Sequence, residues 1–167
     1  MEGKNTFSET ALIEELQTDR ADDCFVANFD ERKDYFIEKN GEKFAGTHLI
    51  VDCIGAQNLD SLEAVERCMR TAVAAADATL LHIHLHHFTP NGGISGVAVL
   101  AESHISIHSW PEHGYAAMDV FMCGDAKPHN TLDVIQAAFE PEELRVEEFL
   151  RGKGALQWRD GLKKHSI

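Results

Sequence analysis

The chain has 167 residues, of which 44% are hydrophobic, and its formal net charge is -13 at pH 7. This length and apolar content are sufficient for one domain with a single core. The negative charge repels nucleic-acid phosphates and anionic lipid, so neither a nucleic-acid partner nor a membrane partner is expected. The sequence has no apolar run of the roughly 20 residues that a membrane-spanning helix needs, and no secretory signal. A cytoplasmic protein is therefore expected.

The four cysteines, Cys24, Cys53, Cys68 and Cys123, are widely spaced and form no Cys-x-x-Cys pair. Neither a zinc site of that kind nor a disulfide framework is expected. Cys53 and Cys68 lie in apolar segments and are predicted to be buried, whereas Cys123 stands beside Gly124 at a strand end.

Three regions are predicted along the chain. Residues 1–45 form an N-terminal extension in which acidic side chains outnumber basic ones. It is either an ordered segment that packs on the core or on a second copy, or a solvated arm. Residues 46–152 form the core, and residues 153–167 form a polar C-terminal tail.

The first half of the core alternates strand and helix patterns. Residues 47–54 are predicted to form a strand, and Asp60 with Glu63 is predicted to form a capping box for a helix. Strands are predicted at residues 79–88 and 94–101, with a turn between them. The apolar side of the helix, at helical spacing, consists of Leu62, Val65, Met69, Ala72, Val73 and Ala76.

The second half continues the same way. Ile105 and Ile107 alternate with polar residues, and residues 115–122 form a β-prone run, so two strands joined by a turn are expected. Asn130 is predicted to cap a second helix, and residues 144–150 to form a last strand. Two helices against a largely antiparallel sheet predict a two-layer α/β sandwich of the α+β class.

Reactive side chains are concentrated in residues 102–124, which bring together a hydroxyl, imidazoles, a thiol and carboxylates. The run begins Glu102-Ser103-His104 and ends Met118-Asp119-Val120-Phe121-Met122-Cys123-Gly124. With Phe88-Thr89-Pro90 and Gly93-Ile94-Ser95-Gly96-Val97 upstream, it resembles the signature of the short prokaryotic S-adenosylmethionine decarboxylases. These are pyruvoyl enzymes that cut themselves within Glu-Ser-His, and the resemblance covers roughly residues 47–152.

The resemblance implies self-cleavage between residues 102 and 103. The hydroxyl of Ser103 would attack the carbonyl of Glu102, turn the amide into an ester, and leave a pyruvoyl group derived from Ser103 after elimination and hydrolysis. Such a carbonyl answers a chemical need, because decarboxylating an α-amino acid leaves a carbanion at Cα that no side chain can delocalise. Enzymes meet this need through a Schiff base to an electron-withdrawing carbonyl.

The same resemblance assigns further residues. His108 corresponds to the processing histidine, which is also counted among the catalytic residues, and Ser95 to the serine that assists by hydrogen bonding. Cys123 corresponds to the catalytic cysteine that returns a proton to Cα, a step for which neighbours can tune a thiol from its usual pKa near 8.5 towards neutrality.

Three residues are weaker candidates for substrate binding. Phe88 stands where the family places an aromatic near adenine, and an aromatic face also attracts a sulfonium. Trp110 and Glu112 lie in a turn that would line the ligand pocket. Core packing for Phe88 and a surface turn for the other two are the alternative interpretations.

Strand geometry does not explain how the processing residues meet. Five residues of regular strand span about 16 Å and place Ser103 and His108 on opposite faces. Either the chain bends between them or the cut end moves, and the sequence leaves this open.

Two other functions remain to be distinguished. The same pyruvoyl chemistry could act on arginine or ornithine, since the processing motif acts on atoms common to all three substrates. A metal-binding module is a more remote alternative, because His82, His84 and His86 alternate along one strand.

The resemblance finally implies an assembly. Its members decarboxylate S-adenosylmethionine to make the aminopropyl donor for spermidine synthesis. Their cleaved fragments stay associated, and the processed protomers form homodimers, so both properties are expected here. No metal cofactor is expected.

Overall fold

The fold is that of a computed structural model that describes residues 36–39 and 41–155. The predicted N-terminal extension therefore lies outside the described residues up to residue 35, as does Cys24. The predicted tail lies outside them from residue 156 onward.

Eight strands and two helices make up the described part of the chain. In order they are β1 (Ile37–Lys39), β2 (Glu42–Phe44), β3 (Gly46–Ile54), α1 (Leu62–Ala75), β4 (Leu80–His87), β5 (Ile94–Leu100), β6 (Ser103–Trp110), β7 (Tyr115–Met122), α2 (Thr131–Phe139) and β8 (Glu143–Arg151). Short 3-10 helices at Pro111–His113 and Pro128–Asn130 lead into β7 and α2.

Six of the strands form one antiparallel sheet in the order β4-β5-β6-β7-β3-β8. With two helices on this sheet, the predicted α+β sandwich is confirmed. β1 and β2 form a separate hairpin that the sequence analysis did not predict. The Asn40-Gly41 dipeptide was an available signal, since this pair favours two-residue hairpin turns.

The core lies between the helices and one face of the sheet. Alternation along the strands turns every second side chain towards the helices, as in Leu49, Val51 and Cys53 of β3. Cys53 and Cys68 are buried, as predicted. The other buried side chains include Val65, Met69, Ala72, Val73, Ile94, Ala98, Ile105, Ile107, Met118, Val120, Ile135 and Phe139.

The ends of the helices differ in detail from the prediction. The N-cap of α1 is Ser61, whose Oγ accepts a hydrogen bond from the N–H of Ala64 at 3.2 Å, so the capping box at Asp60 was wrong. Asn130 occupies the N-cap position of α2 without a side-chain cap; its Nδ2 donates instead to the carbonyl of Ala75 at 2.9 Å. Neither described helix has the length and apolar surface that crossing a bilayer would require.

Candidate active site

The candidate site residues lie at or beside the sheet face that turns away from the helices. We call this surface the open face, because no described helix covers it. Strand alternation places on it the side chains His104, Ser106, His108 and Trp110 of β6, with Tyr115, Ala117, Asp119 and Phe121 of β7 opposite them. The polar and aromatic character of this face distinguishes it from the apolar face that forms the core.

The predicted scissile bond lies at the start of β6, at one end of the open face. Ser103 has a φ of 136°, a backbone conformation that costs a non-glycine residue free energy. The carbonyl oxygen of Glu102 accepts a hydrogen bond from the backbone N–H of Cys123 at 2.9 Å. The carbonyl that Ser103 would attack is therefore already polarised by a fixed donor.

The side chain of Glu102 also has a partner. Its Oε2 accepts a hydrogen bond from the backbone N–H of Thr79 at 2.8 Å, just before β4 begins. This contact fixes the acidic residue on the leaving side of the bond, so that the carbonyl stays directed at Cys123. We call Glu102, Ser103 and Cys123 the cleavage cluster.

The thiol of Cys123 is half-buried, and its surroundings move its pKa away from neutrality. Burial raises the pKa of the thiol above its usual value, and the nearby charge of Glu102 also raises it, while a backbone hydrogen bond acts in the opposite direction. The thiol therefore keeps its proton at neutral pH, which suits a proton donor better than a nucleophile.

A second group of predicted residues lies at the other end of β6. The Oγ of Ser95 lies 2.7 Å from Nδ1 of His108, within hydrogen-bonding distance. Both line a cavity of about 180 Å³ that we call the histidine pocket. Its lining contains every predicted substrate-binding residue and both predicted helpers of processing: Phe88, Asn91, Gly93, Ser95, His108, Ser109, Trp110 and Glu112.

Aromatic stacking organises one wall of the histidine pocket. The ring of Trp110 stacks on His108 with centroids 5.8 Å apart, and on Tyr115 with centroids 5.4 Å apart. Tyr115 is held in turn by a hydrogen bond of 2.6 Å from its hydroxyl to Asp52. Trp110 remains 39% exposed, and Phe88 at the pocket rim remains 47% exposed, so both can accept a ligand surface. Phe88 is therefore not a core residue in this chain.

The two groups do not meet within one chain. β6 pairs without a register shift from Ser103 opposite Met122 to Trp110 opposite Tyr115. β6 is therefore one continuous strand without a bulge, and about 16 Å of regular strand separates Ser103 from His108. No break in the β6 ladder brings the two residues together.

A larger groove lies elsewhere and lacks the expected chemistry. Its volume is about 650 Å³, and it runs between α1 and α2, away from the open face. Arg67, Cys68 and Asp133 are among its lining residues, which include neither an imidazole nor any predicted site residue. Size alone would favour this groove, but the smaller histidine pocket contains the residues that can catalyse a reaction.

Sequence reasoning missed a hydrogen-bonded row on the open face. Arg151 Nη1 donates to Nδ1 of His48 at 3.0 Å, and because arginine can only donate, Nε2–H of His48 donates to Asp119 at 3.1 Å. Ser106 Oγ donates to the other oxygen of Asp119 at 3.1 Å. Ser106 could have been predicted, because it lies two residues before His108 on the same strand and therefore on the same face. No feature of the sequence pointed to Arg151, which lies just beyond the predicted last strand.

The histidines on β4 do not form a metal site. His82, His84 and His86 are exposed along the edge strand. Across the described residues, no three or more histidine, cysteine, aspartate or glutamate side chains are grouped to hold a metal ion. The metal-binding alternative therefore gains no support.

Comparison with known proteins gives a consistent result. The sequence model of a family described as S-adenosylmethionine decarboxylase matches residues 47–152. A Thermomicrobium roseum protein named S-adenosylmethionine decarboxylase proenzyme is 48% identical over 111 residues, covering 66% of this chain and 96% of that protein. A Methanococcus maripaludis protein of the same name is 48% identical over 113 residues, covering 66% of this chain and 92% of its own.

A solved structure agrees with the fold. The crystal structure of the adenosylmethionine decarboxylase from Aquifex aeolicus matches with a TM-score of 0.60 and 35% identity, covering 65% of this chain and 92% of that one. The family model and these relatives define the class of protein as a carboxy-lyase, an enzyme that removes carbon dioxide from its substrate. More narrowly, the chain belongs to the S-adenosylmethionine decarboxylase family.

Proposed function

We propose that this chain decarboxylates S-adenosylmethionine after cutting itself between Glu102 and Ser103, and that it thereby makes the aminopropyl donor for spermidine synthesis. The observation that carries this proposal is the hydrogen bond from the N–H of Cys123 to the carbonyl of Glu102. That bond supplies a donor at the atom where negative charge would develop, which is how acyl-transfer sites stabilise their transition states.

In the processing step, Ser103 Oγ attacks the carbonyl carbon of Glu102 and the amide becomes an ester. The strained φ of 136° at Ser103 favours this rearrangement, because breaking the peptide bond between Glu102 and Ser103 releases that backbone strain. Attack by a hydroxyl also needs a base, and His108 with Ser95 is the candidate pair. Elimination then removes the Cα proton of residue 103 and breaks its Cβ–Oγ bond, so that Glu102 leaves as a free carboxylate and dehydroalanine remains. Hydrolysis of dehydroalanine releases ammonia and leaves the pyruvoyl group.

The residues present fit a pyruvoyl group, because its formation needs a serine next to a polarised carbonyl, and Ser103 follows the hydrogen-bonded carbonyl of Glu102. Once formed, its carbonyl supplies the electron sink that decarboxylation needs. The role of Cys123 is then to return a proton to Cα through its protonated thiol.

We further propose that a second copy of the chain completes the site. The cleavage cluster and the histidine pocket lie at opposite ends of β6, so His108 of the same chain cannot serve Ser103. A partner that packs its own open face on this one, in the opposite orientation, would bring its histidine pocket to the cleavage cluster. The open face exposes apolar side chains suited to such burial, including Ile50, Val99, Trp110 and Phe149.

The composition of the histidine pocket supports an adenosyl substrate over arginine or ornithine. Phe88 and Trp110 offer aromatic faces to an adenine ring and to a sulfonium. Glu112 adds a single carboxylate, which suits a ribose hydroxyl or one positive charge. A guanidinium would instead be expected to meet paired carboxylates, which the lining lacks.

The fold supports lasting association of the two fragments. Strands β3, β4 and β5 precede the cut, and β6, β7 and β8 follow it. In the sheet, β5 pairs with β6, while β3 lies between β7 and β8. Three interfragment ladders therefore hold the cut protein together. We place the enzyme in the cytoplasm, since the thiols of Cys53, Cys68 and Cys123 are free.

An intact-mass spectrum of purified protein tests the proposal. Fragments of 102 and 65 residues are expected, the second carrying a carbonyl that a hydrazine traps. Ser103→Ala should give one uncut chain that binds no hydrazine. Release of carbon dioxide from carboxyl-labelled S-adenosylmethionine, arginine and ornithine then identifies the substrate. A wild-type chain that stays uncut, ignores hydrazine and releases no carbon dioxide would overturn the proposal.

A further inference from the structure

The proposed self-cleavage turns residue 103 into a new chain end at the start of β6. Before the cut, this residue is fixed by the chain on both sides; after it, residue 103 becomes a chain end without an N–H to donate to the sheet. New chain ends fray unless side chains tie them down. The first side chain available to hold the new end is that of His104.

The ring of His104 is packed against two other rings on the open face. It lies edge-on to Phe121 with centroids 6.0 Å apart, and edge-on to His48 with centroids 6.4 Å apart. The ring centroids of Phe121 and His48 are 5.4 Å apart. We call these three residues the ring cluster. His48 belongs to the fragment before the cut and the other two to the fragment after it, so the cluster joins the fragments at the new end.

Two charged residues of the hydrogen-bonded row, Arg151 and Asp119, contact the ring cluster. Arg151 donates to His48 and also places its Cζ 5.9 Å from the ring centre of Phe121. Asp119 accepts from the opposite side of the His48 ring. Both partners of His104 are thus fixed by charged residues on β7 and β8 rather than by packing alone.

The charge state of His104 agrees with a packing role. Burial lowers its pKa, and the neighbouring His48 lowers it further, while Asp119 acts in the opposite direction. An uncharged imidazole packs edge-to-face in the way that a phenyl ring does.

We propose that His104 is a positioning residue: it anchors the cut end against His48 and Phe121, and so keeps the group formed at residue 103 within reach of Cys123. This inference rests on the proposed function. Its energetic logic is that displacing a reacting group by about 1 Å can cost roughly 100-fold in rate.

Kinetics of three variants test the inference. His104→Ala should cut itself as wild type does, since the tether is intact before cleavage, but lose kcat by roughly 10- to 100-fold with KM nearly unchanged. His104→Phe keeps the ring and should restore most of kcat. His82→Ala is the matched control, because His82 lies level with His104 on the same face, across Val99, and should behave as wild type.

Hydrogen exchange provides a readout that does not depend on activity. In cut His104→Ala, the amides of residues 104–107 should exchange faster than in cut wild type. In the uncut Ser103→Ala background, adding His104→Ala should leave them unchanged, because the chain still tethers the strand. Equal acceleration in both backgrounds would mean general loosening of the sheet and would overturn the inference.

Two further outcomes would also overturn it. One is an unchanged kcat in His104→Ala, and the other is a His104→Ala chain that fails to cut, which would place His104 in processing instead. An uncut wild-type chain would be different, since it refutes the proposed function itself.

Discussion

The backbone and the side chain of Cys123 contribute separately to the proposed reaction. Its N–H donates to the carbonyl to be attacked, and its half-buried thiol keeps its proton because burial raises the pKa above its usual value. The thiol works as a donor only in its protonated form. Its contribution is therefore present at neutral pH and is lost as the pH rises through the raised pKa.

This division predicts how Cys123→Ser should behave. Serine retains the backbone N–H, so the variant should still cut itself, but its hydroxyl is a far weaker acid, and kcat should fall by roughly 100-fold or more. For the wild-type enzyme, the pH profile of kcat should stay level through neutrality and fall only in the alkaline range, because the raised pKa keeps the thiol protonated until then. Mass spectrometry and carbon dioxide release measure the two properties. An alkaline decline centred near neutral pH would contradict the assignment.

At the scale of elements, the N-terminus of α1 offers a test of one specific hydrogen bond. Ser61 Oγ accepts from the N–H of Ala64, whereas Asp60 is exposed and does not cap. Ser61→Ala should lower the free energy of unfolding by about 1 kcal/mol. In a chain of this size that corresponds to about 2–4 °C in Tm. The matched variant Asp60→Ala should change Tm little; a larger loss there than in Ser61→Ala would restore the sequence-based capping box.

The strands of the sheet could be predicted from the sequence, but the positions of Ser103 and His108 relative to each other could not. Alternation around Ile105 and Ile107 identified β6, because a sheet with one buried face imposes a two-residue period, and the β-prone run at residues 115–122 identified β7. The resemblance assigned Ser95 and His108 to processing separately, and the structure puts the two side chains 2.7 Å apart. No local pattern in the sequence predicts that β6 runs without a break from Ser103 to Trp110. That continuity depends on uninterrupted ladders to both neighbouring strands, and it separates Ser103 from His108.

The hydrogen-bonded row from Arg151 through His48 to Asp119 could not be predicted from the sequence either, because it also depends on how the strands pair. Its members come from three strands, and 103 positions separate the first two along the chain. Their contact is a property of strand order, β7-β3-β8, rather than of spacing. Long-range order of this kind is set by how the whole sheet buries its apolar face.

For the whole molecule, the cleavage cluster and the histidine pocket lie at opposite ends of the open face, and each lacks the residues of the other. This arrangement favours a dimer with two-fold symmetry. In a two-fold dimer the same patch meets itself in opposite orientation, so each cleavage cluster would face the partner's histidine pocket. Two complete sites would form at once, each drawing on both chains. A monomer would have neither, and its Ser103 would lack a base.

Co-expression of two inactive variants tests this arrangement. His108→Ala alone and Ser103→Ala alone should both remain uncut. In a mixed dimer, Ser103 of the first chain would meet the intact His108 of the second, so the His108→Ala chain should be cut and the Ser103→Ala chain should not. Tags of different mass distinguish the chains. The control replaces the helper with Ser103→Ala/His108→Ala, which has no histidine to supply and should leave both chains whole. No cutting with the single-variant helper would mean that each chain supplies its own base. Cutting with the double-variant helper would mean that His108 is not the base at all.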